Sequence, residues 1–420
     1  MVVNRSGFLW ITVAVAEKSA VYDLHNHARK PCMAEERFLD KNGVSHRPAV
    51  YAQTMPVDIH KLIHRPEETF MTLQSLLGIA HPIIQGPMAG GCTTPALVAA
   101  VSNAGALGSV ACSLLSPEAI RRQVAEIRQL TDKPFLLNFF VQDPPHPSGE
   151  EVARAVELLK PVWSSLGWNE LALPFKWCED FSAQFAALLE LKPAVASFTF
   201  GILSSGQVRQ LHEAGIVVIG TATRVDEALA WQAAGADAVI ASGTEAGGHR
   251  GTFIGDQRDA TLDAIALLKA VVAEATIPVI SAGNVMTGAD IRERLNLGAA
   301  AVQMGTAFLV TDEAGIHPAY KQRLLIAGSS PTRLTRAFSG RYARGLVNRF
   351  MEQMEAVEDQ VPPYPVQNAL TGPIRFEAAK RGDTELMSLW CGTGVGRARR
   401  MGAARLVQTL AEEMSKGDSL

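Results

Sequence analysis

From Met71 onward the chain alternates between short β-branched apolar runs and longer helical patterns, and this alternation limits the fold more than any other feature. The strand-like runs are Pro82–Gln85, Leu107–Val110, Phe135–Phe139, Ala194–Thr199, Val217–Thr221, Ala238–Ala241, Pro278–Ser281 and Ala301–Met304. Each is short, apolar and bounded by turn residues, as buried parallel strands are. Helical patterns fill the intervals: Pro95–Asn103, Pro117–Leu130, Glu150–Leu159 with more helix up to Leu191, Ser204–Ala214, Val225–Ala234, Asp263–Ala275 and Gly288–Leu297. Ala104-Gly105, Ala214-Gly215, Ala234-Gly235 and Leu297-Gly298 supply the glycine that closes a helix in left-handed backbone. Alternating units imply a parallel sheet with right-handed crossovers. Eight of them predict an α/β fold, a closed (β/α)8 TIM barrel. An open doubly wound sheet is the alternative, but no GxGxxG follows the first strand.

The pattern changes after the eighth strand. Helical stretches at Pro318–Ala327 and Arg349–Val357 are separated by loops with no clear strand, and Ala379–Trp390 and Arg397–Met414 then read as helices. The expectation is a smaller, mostly helical inserted domain over 310–372, lying as a cap near the C-terminal face of a barrel made of 71–309 and 373–414. Residues 1–70 hold five of the ten histidines, show no sustained period and are expected to form a poorly ordered extension, or to precede the natural start at Met71. The irregular spacing of those histidines predicts no metal site.

Composition narrows the function classes. A net charge of −3 leaves no electrostatic footprint for nucleic acid. No apolar run reaches membrane-spanning length, and Phe8–Ala16 is too short and too soon followed by Glu17 and Lys18 to read as a signal segment. Five cysteines without a CxxC pair suggest reduced thiols in a cytoplasmic protein.

The strand ends carry the candidate chemistry, because barrel active sites form there. After the sixth strand comes Ser242-Gly243-Thr244-Glu245-Ala246-Gly247-Gly248-His249-Arg250-Gly251, with four glycines that let backbone approach a flat ligand. His249 is a candidate acid, base or charge-stabilising group; a flexible surface loop with an incidental histidine is the competing reading. Strand seven ends in Ser281-Ala282-Gly283-Asn284 and strand eight in Gln303-Met304-Gly305-Thr306. Both expose backbone N–H groups suited to a phosphate, although tight turns also use such glycines. Gln85–Gly90 places Met88 at a bend, and Asn138 sits in an otherwise apolar strand, where it needs hydrogen bonds from a ligand or from the core. Ser197–Gly201 either lines a ring or packs. With no metal-ligand constellation and no GxSxG nucleophile, the chemistry is expected to belong to a cofactor.

These segments, taken in order, resemble the class I nitronate monooxygenases, formerly called 2-nitropropane dioxygenases. The matching stretches are Ile83–Gly90, Pro134–Val141, Ser197–Gly201, Glu245–Phe253, Gln303–Phe308 and Leu334–Gly340, of which AGGHRG is the most specific. The resemblance spans Met71 to about Met414. It implies an FMN-dependent barrel with an inserted smaller domain. It also implies that FMN is held by Asn138, Gly247, Gly248, Gln303, Met304, Gly305 and Thr306, with Met88 beside the ring and His249 catalytic. The implied reaction oxidises alkyl nitronates, such as propionate 3-nitronate, with O2 to a carbonyl compound and nitrite.

Two positions depart from the family pattern. Gly283-Asn284 replaces two glycines, and Ser242 stands where many relatives have glutamine, so both are expected to bear on FMN affinity. Cys391-Gly392-Thr393-Gly394 is also altered from the usual ending. An NAD(P)H-dependent quinone or enoyl-thioester reductase and a non-catalytic flavin- or phosphate-binding barrel are the competing functions. The oligomeric state is left open.

Overall fold

The computed structural model describes residues 72–416; the expectations for residues 1–70 lie outside them. Strands β1 (Ile83–Gln85), β2 (Gly108–Ala111), β3 (Phe135–Phe140), β4 (Val195–Thr199), β5 (Val217–Ala222), β6 (Ala238–Ser242), β8 (Val279–Ala282) and β9 (Ala301–Met304) form one parallel sheet in the order β1-β9-β8-β6-β5-β4-β3-β2. A parallel bridge between Ile84 and Leu107, with Gln85 N donating to Leu107 O at 2.9 Å, closes the sheet on itself. This is the (β/α)8 barrel expected from the alternation.

The two-residue period of a strand sorts the side chains of β3. Leu136 joins the barrel interior with Ile84, Leu107, Val195, Ile219, Ile240 and Ile280. Leu137 and Phe139 face outward, into a layer with Phe198, Val218 and Trp231 under the surrounding helices. Phe139 and Phe198 are fully buried, a burial that stabilises by about 2–3 kcal/mol per side chain. Leu73 and Leu77, from helix Leu73–Leu77, pack into the interior cluster. The last helix, Ala403–Ser415, returns to lie on Pro95–Asn103 and Gly288–Asn296 through Leu406, Val407 and Leu410.

The stretch after β9 departs from expectation. It contains two strands, β10 (Thr332–Thr335) and β11 (Ala343–Leu346), which pair antiparallel with each other, and β11 pairs in turn with β7 (Gly248–His249) from the glycine-rich segment. Four-residue strands carrying Arg333 and Arg344 lack an apolar alternation long enough to announce themselves. The helix expected at Ala379–Trp390 is instead Val366–Arg381, running through residue 372 and closed by Gly382 at φ 65°. Leu386, Met387 and Leu389 are buried in non-helical chain, so their apolar spacing serves packing rather than a helix. Val152, Leu159 and Trp163 from the β3–β4 connection share one cluster with Phe338, Phe350, Leu370 and Ile374.

Candidate active site

A cavity of about 530 Å³ opens at the C-terminal ends of the barrel strands. Met88, Asn138, Ser242, Gly247, Gly248, His249, Gly283, Asn284, Gln303, Met304, Gly305 and Thr306 all border it. Residues up to 218 positions apart meet because a parallel barrel delivers every strand end to one face.

At one end lie the turns after β8 and β9. Gly283 has φ 120°, a conformation a side chain would strain. Gly305 faces open space, where an added Cβ would meet only the Met88 sulfur at 4.0 Å. Thr306 Oγ1 accepts from Gly392 N at 2.9 Å, which leaves the hydroxyl proton free to donate into the cavity. The helix starting at Thr306 is a single turn, Thr306–Leu309, so this cradle rests on N–H groups rather than on a helix dipole. Nearby, Gln303 Oε1 is buried without a donor. Asn138 Nδ2 donates to Ser197 Oγ at 2.9 Å, so its amide is partly satisfied by the barrel. Ser242 contributes its carbonyl to Arg250 Nη1 at 2.9 Å.

His249 is held by backbone, not left on a mobile loop. It pairs with Ala343, Gly248 pairs with Arg344, and Arg250 N donates to Tyr342 O at 2.8 Å. The Arg250 side chain is 2% exposed and grips the carbonyls of Ser242, Gly243 and Ala260, tying the segment back to the end of β6. Further along, the fully buried Glu227 carboxylate accepts from Thr223 N at 2.7 Å, Ile254 N at 2.9 Å and Phe253 N. Gly247 is required by space: a Cβ there would stand 2.4 Å from the Cys391 carbonyl carbon.

The imidazole lies among four rings, Phe140, Phe200, Tyr364 and Trp390, with centroids 5.5–6.4 Å away. Burial, reinforced by the Arg341 and Arg375 charges, pulls its pKa down to about 3, so it is neutral at physiological pH. Of the roles open to it as acid, base or charge stabiliser, so low a pKa leaves the ring a weak base. Its tautomer follows from Ser339, whose hydroxyl donates its one proton to Arg341 O at 2.9 Å. The 2.9 Å bond to His249 Nε2 must then run from the ring N–H to the serine, leaving Nδ1 with its lone pair.

The family profile for nitronate monooxygenase matches residues 71–413. The chain belongs to the nitronate monooxygenase family. The nitronate monooxygenase of Pseudomonas aeruginosa is 42% identical over 346 residues, covering 81% of this chain and 97% of that one. Among solved structures, the nitroalkane oxidase of Streptomyces ansochromogenes superposes with a TM-score of 0.76 at 40% identity, over 81% of this chain and 97% of that one. FabK of Thermotoga maritima follows at TM-score 0.65 and 30% identity, over 82% and 96%. The family is flavin-dependent.

Several side chains in or behind this family member's cavity escaped the sequence reading. Ser339 lies in the recognised LTRAFSG stretch and Phe200 in SFTFG, yet neither carried a role there. Phe200 adopts φ 77°, lies tilted against Phe140 with ring centroids 3.9 Å apart and sits 4.1 Å beneath the Arg341 guanidinium. Tyr364, Asn368 and Arg375 enter from helix Val366–Arg381 and the turn before it. Arg375 Nη2 donates to Asn368 O at 2.7 Å and Oδ1 at 3.0 Å, and no carboxylate pairs with it among the described residues.

Proposed function

We infer that this cavity binds FMN and that the chain oxidises alkyl nitronates with O2, yielding a carbonyl compound and nitrite. The observation that carries the reading is His249, neutral, with Nδ1 free, beside an unpaired cavity arginine in a family of this name.

The residues present fit the cofactor. The buried acceptor Gln303 Oε1 lacks the donor that a ring N–H would supply, and Gly283, Gly305 and Thr306 form a small-residue cradle suited to a phosphate. Asn138, Gly247, Gly248 and Met304 would hold the remainder, with Met88 and Ser242 beside it. FMN supplies the electron acceptor for the nitronate and the donor for O2. The chain's own part is electrostatic and positional. Arg375, pulled by burial to about 10, still carries its charge at neutral pH and favours an anionic substrate such as a nitronate. His249 offers its Nδ1 lone pair to the cavity as a hydrogen-bond acceptor, too weak a base for an α-proton, and Ser339 holds the ring in register.

We take the segment 310–372, with the start of helix Val366–Arg381, as the cap that limits water over the strand ends; Tyr364 and Asn368 border the cavity in support. We also place the protein in the cytoplasm, supported by free thiols at Cys92, Cys112, Cys178 and Cys391. Among the described residues no helix is long and apolar enough to cross a membrane.

The test is the visible spectrum of the purified protein, followed by nitrite release from propionate 3-nitronate in air. Flavin bands and nitrite are expected. Flavin that is reduced anaerobically by NADH but not by the nitronate would replace this reading with a reductase. Absence of flavin after addition of FMN would leave a non-catalytic barrel.

A further inference from the structure

Asn284 and the segment Cys391–Gly394 meet in space beside the phosphate cradle. Asn284 follows Gly283 directly and has φ 55°, left-handed backbone that asparagine tolerates better than most residues. Its side chain is not loose. Arg397 Nη2 donates to Asn284 Oδ1 at 2.9 Å and to Asn284 O at 3.0 Å. The other arm of the same guanidinium, Nη1, donates to both oxygens of Asp290, at 2.9 and 2.8 Å. Asp290 is itself fixed by Met286 N at 2.8 Å and Thr287 N at 3.0 Å. The guanidinium therefore has a rigid anchor behind it and the asparagine in front.

Gly394 makes room for this arrangement. A Cβ there would stand 2.7 Å from Asn284 Oδ1 and 3.3 Å from Arg397 Nη2. A glycine at position 284 would bring no amide to keep out of the cradle. Here the amide is present and the chain supplies a guanidinium to hold it.

We propose that Arg397 is a positioning residue for the flavin phosphate, tethering the Asn284 amide so that it does not turn into the Gly283 cradle. The inference rests on the FMN reading above. Arg397 touches no part of the cofactor in this scheme; it acts only through Asn284. Its side chain is 42% exposed, so the tether is of moderate strength.

The experiment measures the FMN dissociation constant of the full-length holoenzyme from the fluorescence of released flavin on dilution, in the unaltered protein and four variants. Against the unaltered protein, Arg397→Met should raise Kd roughly tenfold, the scale of one charged hydrogen bond. Asn284→Gly should leave it within roughly threefold, and Arg397→Met with Asn284→Gly should return to that same range, because the amide that needed holding is gone. Arg397→Lys, which keeps a charge for Asp290 without the two-armed grip, should also weaken binding and guards against loss of fold in the methionine variant. A double variant as weak as Arg397→Met alone would mean that Arg397 merely supports the local fold, and the tether would be overturned. So would an Arg397→Met protein that holds FMN as tightly as the parent. An unaltered protein that binds no FMN would overturn the cofactor reading and the tether together.

Discussion

His249 shows how a single residue's chemistry is set by its surroundings. Four aromatic rings and two guanidinium groups make the protonated ring costly, so its folded pKa of about 3 lies far below that of a free histidine. As pH falls, the unfolded chain takes the proton first. The stability that depends on a neutral His249 is therefore complete above about pH 6.5 and is lost progressively towards pH 3. In activity, kcat/KM with a preformed nitronate should show no inflection near pH 6.5; one that vanishes on His249→Asn would contradict this environment. His249→Ala should retain bound flavin and lose turnover by about 10²–10³-fold, the range for removing one preorganised polar group beside the reacting atoms. Arg375→Met should raise KM for nitronates about tenfold or more while flavin binding is kept, since a charged contact to an anion is lost. Unchanged KM would remove Arg375 from substrate binding.

At the scale of elements, the decisive piece is the small sheet β7-β11-β10. Strand β7 is two residues long and would have no conformation of its own; β11 supplies its backbone partners and Cys391–Gly392 covers its entrance. Gly247→Ala forces a methyl to within 2.4 Å of the Cys391 backbone, where no flexible side chain can yield. Such overpacking costs about 1–3 kcal/mol. The variant should melt several degrees lower and lose activity out of proportion to flavin, because His249 moves with β7. A Gly247→Ala protein with parental melting and turnover would show that this contact relaxes freely.

For the whole molecule, the described residues 72–416 belong to one compact unit, and the family profile begins at Met71. A protein beginning at Met71 should fold, carry flavin and release nitrite at the rate of the full chain; failure of any of these would assign residues 1–70 a part in the enzyme. FMN should also raise the melting temperature. At one hundred times Kd the linkage is worth about 2.7 kcal/mol, a shift of a few degrees that thermal scans at graded FMN will resolve.

The barrel was legible from local order alone. Eight apolar runs separated by helices carry their period in contiguous residues, and each observed strand falls within a residue or two of its expected place. The strand-end residues were legible for the same reason, because barrel topology carries them to one face. What the chain did not reveal by itself was how that face is finished. Strand β11 pairs with β7 across about 95 residues; Ser339 orients a histidine ninety positions away; Arg397 reaches back 113 residues to Asn284. Periodicity is a property of neighbours in sequence, whereas a tautomer, a depressed pKa and a tethered amide arise from groups that become neighbours only when the chain has closed. Sequence therefore determined the barrel and which strand ends share one face, and tertiary contact brought Tyr364, Asn368 and Arg375 to that face and decided the protonation and posture of the residues there.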